Sequence, residues 1–213
     1  MNNIVQLDNT LMVDGLNTTQ YEILREMIDD TLGKAADAME KMLRIRVKAR
    51  DMDVGNGRFP NFDDFDMLGR FKVHLVKVEF GNEIRGAFYF IIKGHEVDLI
   101  NSVCLPESVN NVKTGESKLM KHDFMLEIEN MIASLSITEI SDFLGVQLLG
   151  EVPVVKVMQG DQVNEYLKLE AEKNKASVHV KSVLAGVNVD VAPYFLWTLD
   201  HSFIDKLRLN VVG

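Results

Sequence analysis

The chain has 213 residues, 46% hydrophobic and 26% charged, with a formal net charge of −9. That length supports one sizeable core, and the acidity excludes a general electrostatic affinity for nucleic acid or anionic lipid. The single cysteine, Cys104, excludes an internal disulfide, and no apolar stretch nears the roughly 20 residues that span a bilayer. Met1 to Leu11 has neither a basic n-region nor an apolar h-region, so a cytoplasmic location is expected. Cys104 lies in the apolar stretch Ile100 to Leu105 and reads as a buried structural thiol.

The first element is a long helix from about Asn17 to Leu43. Leu24, Met27, Ile28, Leu32, Ala35, Met39 and Met42 recur at helical spacing, and Asn17, Thr18 or Thr19 can cap its start. Its end is ambiguous, because Ile45, Val47 and Ala49 alternate as in a strand. Asp51 to Arg70 reads as a loop, with Gly55, Gly57, Pro60, Gly69 and five aspartates. Its start, Asp51 to Gly57, is a poor calcium loop: Gly55 stands where a third oxygen ligand is needed and Phe62 where a closing Glu is needed. A solvated turn is the reading there.

Two strands follow, Phe71 to Phe80 and Ile84 to Lys93, joined at a Gly81–Asn82 turn. Glu96 to Val103 suits a short helix, and 106 to 117 reads as a linker. A second long helix spans about Leu119 to Leu144, with Phe124, Ile128, Met131, Ile132 and Leu135 as its apolar stripe and Gly145 as its stop. Strands are expected at Val152 to Met158, Ser177 to Leu184 and about Tyr194 to Leu199. Glu165 to Lys175 suits a charged helix or a loop.

Long helix, strands, long helix, strands is an order that suggests two halves of similar design. The expected fold is α+β: two long helices packed on a mostly antiparallel sheet, with an internal pseudo-two-fold repeat. Residues 1–213 form one domain on this reading, with half-repeats at about 16–105 and 118–210. Apolar residues within Val152 to Val157 and Val189 to Leu199 offer an edge strand to a second copy, so a homodimer is compatible with the sequence.

Chemistry concentrates on the second helix. Asp123, Glu127 and Asn130 stand four and three residues apart, which places them within ~60° on one helix face. Such groupings are common on solvated faces, and the wider pattern is what sets this one apart. From Asp123 the chain reads D-F-M-L-E-I-E-N, then 22 residues, then Pro153. This resembles the signature of the CheC/CheX/FliY phosphatases: Asp or Ser, three residues, Glu, two residues, Asn, about 22 residues, Pro. All four positions match. Glu129 stands where that family usually has Gly, a difference that would alter how closely a partner backbone approaches.

The first helix carries a weaker echo. Glu26 matches the Glu, and Gly33, Ala35, Ala36 and Ala38 match the family's small-residue run. Asp29 replaces the Asn, Glu22 takes the Asp or Ser position, and Met52 stands where the Pro belongs. An ionised aspartate cannot donate a hydrogen bond as an amide can, so the first site reads as inactive.

The resemblance implies hydrolysis of the aspartyl phosphate on a CheY-like response regulator, in chemotaxis or two-component signalling. It implies that Asn130 orients the attacking water and that Glu127 docks on a lysine of the receiver, with Asp123 and Pro153 in support. Mg2+ is then expected on the receiver, and this chain has no H-E-x-x-H, C-x-x-C or P-loop of its own. Its five histidines are scattered. The alternative is a non-catalytic module that binds a phosphorylated receiver or a flagellar-switch partner.

Overall fold

Asn17 opens the first helix. Its side chain accepts from the Gln20 N–H, the Gln20 side chain accepts from the Asn17 N–H, and α1 runs Thr18–Leu43. The structure, a computed structural model, describes residues 13–57, 59, 65, 69, 71–111 and 114–210. Arg44 ends α1 in the left-handed region, and β1 follows at Val47–Asn56.

β1 therefore takes the first part of the expected Asp51–Arg70 loop. Neither a calcium loop nor a solvated turn forms at 51–56. Gly55 is there for packing: a Cβ on it would lie 2.6 Å from the His179 ring, which lies against the strand. Most of 58–70 falls outside the described residues.

β2 spans Lys72–Asn82 and β3 Gly86–Lys93. The expected turn residues Gly81 and Asn82 belong to β2, because its end pairs with a further strand. Next come α2 (Gly94–Cys104), a short α3 (Glu107–Asn110) and α4 (Gly115–Leu144). The reading of 106–117 as a linker is corrected: Thr114 caps α4 through the Ser117 N–H, four residues ahead of the expected start. Gly145 ends α4 with φ +60°, as its sequence position indicates.

The remainder is β4 (Leu148–Gly150), β5 (Val154–Gln159), α5 (Val163–Lys173), β6 (Val178–Gly186), β7 (Tyr194–Leu199) and α6 (His201–Asn210). The seven strands make one antiparallel sheet, in the order β1-β6-β7-β3-β2-β4, with β5 also on β2. With β5 in the β4 place, exchanging β1 with β5, β2 with β6 and β3 with β7 returns the same order. That is the expected two-fold pattern, and the fold is α+β.

The sheet is buried on both faces. β3 sends Phe88, Phe90 and Ile92 to the face covered by α1 and α4, and Ala87, Tyr89 and Ile91 to the other. On that second face Val163 and Leu167 of α5 join Phe65. Lys77 of β2 is buried there between Glu79 and Glu170, each at 2.7 Å. Desolvation disfavours the charge on Lys77, but the two carboxylates outweigh it and raise the ammonium pKa. Cys104 is half-buried rather than buried; burial pushes its thiol pKa up, against a smaller opposing effect of Arg44. Among the described residues no helix is long and apolar enough to cross a membrane.

Candidate functional site

α4 carries the motif on its outer side. Asp123, Glu127 and Asn130 are all exposed. The side chains of Glu127 and Asn130 make no hydrogen bond or ion pair among the described residues. Asp123 lies 3.4 Å from Nδ1 of its neighbour His122. A carboxylate and an amide less than one turn apart, with no internal partner, can both engage an incoming protein surface or a water.

The rest of α4 is rotated from the expected stripe. Ile128 and Ile132 are buried as read, but Phe124, Met131 and Leu135 are only half-buried. The buried face is instead Met125, Ile128, Glu129, Ile132, Ala133, Ser136 and Ile140. The cause is that α4 packs on two neighbours. The sheet takes one side, while Met131 and Leu135 line a groove against Ala38 and Met42 of α1. Hydrophobicity alone marks both kinds of contact, and it misses a buried Ser or Glu.

Glu129 is the residue most misread from sequence. It is 0% exposed, and neither carboxylate oxygen has a hydrogen-bond partner. Burial alone pushes its pKa well above the usual carboxylate range. It points into the core, so it does not stand between Asn130 and a docking partner.

Glu26 and Asp29 are exposed on α1. Lys34 pairs with Glu139, and Met42 lies beside Met131 and Leu135, so α1 and α4 run antiparallel. The two motif positions therefore sit toward opposite ends of the helix pair and do not merge into one site.

Pro153 has a clear place. β4 and β5 both pair with β2, but their registers differ by one residue: Phe80 faces Gly150, whereas Lys77 faces Val154. Glu151 N–H still donates to the Glu79 carbonyl at 2.7 Å, and the extra residue is absorbed at Val152–Pro153. A residue without an N–H is tolerated in such an edge bulge. β1 repeats the device, with the same one-residue shift between Arg50 and Asp53. The offset of 101 residues that carries Glu26 onto Glu127 and Asp29 onto Asn130 also carries Met52 onto Pro153. Met52 thus occupies the bulge without the proline, and Asp51 beside it takes φ +55°.

Among the described residues no group of three or more His, Cys, Asp or Glu side chains could hold a metal ion.

No protein-family model matches this chain. No curated protein matches it either. Solved structures do. FliY of Thermotoga maritima is 14% identical with a TM-score of 0.63, covering 92% of this chain and 97% of that one. A chain of the CheX–CheY–BeF3–Mg2+ complex from Borrelia burgdorferi is 13% identical with a TM-score of 0.59, covering 82% and 98%. A chain of the FliM–SpeE complex from H. pylori is 10% identical with a TM-score of 0.52, covering 92% and 97%. The chain has the fold of the CheC/CheX/FliY proteins.

Proposed function

We propose that this protein is a chemotaxis-type phosphatase that hydrolyses the aspartyl phosphate of a CheY-like receiver, with Asn130 and Glu127 of α4 as its working residues. One observation carries the reading. The full Asp123, Glu127, Asn130, Pro153 pattern accompanies this fold, with Glu127 and Asn130 exposed and without a side-chain partner among the described residues.

Phosphoryl transfer leaves a helper protein little covalent work, so positioning and electrostatics are what it contributes. The Asn130 amide accepts a hydrogen bond from a water and donates another, which holds the water in line with the scissile P–O bond. Water oxygen bonds to phosphorus, the bond to the receiver aspartate breaks, and inorganic phosphate and a free carboxylate result. Glu127 makes a charge-assisted contact with a receiver lysine and so fixes the depth at which α4 docks. A Mg2+ ion held by the receiver would offset charge on the phosphoryl oxygens. The reaction would take place in the cytoplasm, where receivers reside.

Glu26 and Asp29 are read as a decayed second copy. Asp29 has no N–H2 to donate, and Met52 replaces the proline in the bulge. The test is the rate of receiver dephosphorylation with the wild-type chain and with Asn130→Ala, which is expected to fall about a hundredfold toward the unassisted rate. An unchanged rate would remove Asn130 from the mechanism.

A second reading is a binding module without turnover. It is favoured by the same fold appearing in the FliM–SpeE complex. Tight binding of a beryllofluoride-activated receiver with no acceleration of phosphate loss would select it.

A further inference from the structure

A cleft of about 220 Å3 lies where α2, the first turns of α4, and the paired strands β2 and β5 meet. Val76, Val97, Met125 and Val155 give it an apolar floor. Asn101 of α2 lines it and is only 3% exposed. Its Oδ1 is buried without a partner, and its Nδ2 makes no bond among the described residues.

The local structure does not explain an asparagine here. The α2 end uses the main-chain carbonyl of Asn101, which accepts from the Leu105 N–H and from Asn110 Nδ2, both at 2.9 Å. Any residue supplies that carbonyl. A buried amide oxygen left without a donor costs free energy, which a hydrogen-bond donor from outside would recover.

Charge around the rim selects the partner. Lys118 and Lys121 of α4 line the cleft with Asp98 and His122; His122 lies against Asp123, and Lys121 Nζ is 3.5 Å from the Asn110 carbonyl oxygen. This is a local excess of positive charge in a chain of net −9. His74 faces the same space. Its pKa is lowered chiefly by burial, opposed by Asp98 and reinforced by Lys72 and His122, so near neutral pH it is an uncharged donor and acceptor.

We propose that this cleft binds a small molecule with an apolar body and one carboxylate. The body rests on the valine and methionine floor, a hydroxyl or N–H of the ligand donates to Asn101 Oδ1, and the carboxylate meets Lys118 and Lys121. The volume is below that of drug-sized sites, which favours a ligand of one ring or one amino-acid side chain over a peptide segment. The site is separate from the outward-facing Glu127 and Asn130, so it stands whether or not the phosphatase reading does.

The test is fluorine NMR of 3-fluoro-4-hydroxyphenylacetate, whose phenol O–H can donate to Asn101 Oδ1, titrated with the full chain, with the neutral 3-fluoro-4-hydroxyphenylacetamide beside it. The acid is expected to bind saturably, and the amide roughly tenfold more weakly. The Lys118→Glu/Lys121→Glu double variant and the Asn101→Leu variant are each expected to weaken the acid by a similar factor, with Trp197 fluorescence reporting that they remain folded. If the wild type gives no saturable shift, if the amide binds as tightly as the acid, or if the folded lysine variant binds unchanged, the proposal is overturned.

Discussion

Replacing Glu129 should stabilise the protein, and more so as the pH rises. The carboxyl is fully buried on α4 with both oxygens unpartnered among the described residues. In its protonated form it already carries the cost of an unmade hydrogen bond, about 1–3 kcal/mol. Its ionised form is worse, since burial raises its folded pKa above the unfolded value. The folded state then holds the proton more tightly than the unfolded state. The stability that this proton supports is complete below the unfolded pKa and is lost as pH rises through the folded one. Between those two limits the wild type loses about 1.4 kcal/mol per pH unit relative to a variant that cannot ionise. Glu129→Gln keeps the size and the polar cost but removes this slope. Glu129→Leu removes both, and should be more stable than wild type at every pH from 4 upward. Urea unfolding followed by Trp197 suits the measurement, because it is the single tryptophan and is fully buried. Parallel pH profiles for wild type and Glu129→Gln would show that the carboxyl is not buried uncharged, and the reasoning would fall.

Three further outcomes are expected. Gly86→Ala should destabilise by about 1–3 kcal/mol, because the new Cβ would lie 2.4 Å from the Thr198 carbonyl oxygen, which cannot step aside; urea midpoints would measure it. Lys77→Met should cost about 3 kcal/mol by leaving Glu170 buried without its cation, and adding Glu170→Leu should recover most of the loss in a double-mutant cycle. Glu26→Ala should change neither stability nor receiver dephosphorylation by a measurable amount, since the residue is exposed and belongs to the site read as inactive; a lower dephosphorylation rate would show that the first site works.

Much of the architecture was legible because its signals are local. The α1 start, the Gly145 stop and the Tyr194–Leu199 strand each depend on residues next to one another; the stop and the strand stand where the sequence puts them, and Asn17 is the cap among the three residues, Asn17, Thr18 and Thr19, that could serve. What was missed depends on distant partners. β1 runs on through Gly55 because His179, far along the chain, lies against it. β4 is three residues long and exists only through its pairing with the end of β2. The turn of α4 about its axis was misjudged because Met131 and Leu135 meet α1 and not the sheet. The candidate site divides in the same way. The spacing of Asp123, Glu127 and Asn130 gives their shared exposed face directly. The inward path of Glu129, one residue away, could not be read, because a carboxylate is the side chain least expected in a core. Nor could the bulge that gives Pro153 its place be read before the β2 registers were known.

Asn130 carries the proposed chemistry. The most direct measurement is the decay of a phosphorylated CheY-like receiver with Mg2+, alone, with this protein, and with its Asn130→Ala variant. Faster decay is expected with the wild type, and decay near the unassisted rate with the variant. Equal acceleration by both proteins would remove Asn130 from the chemistry.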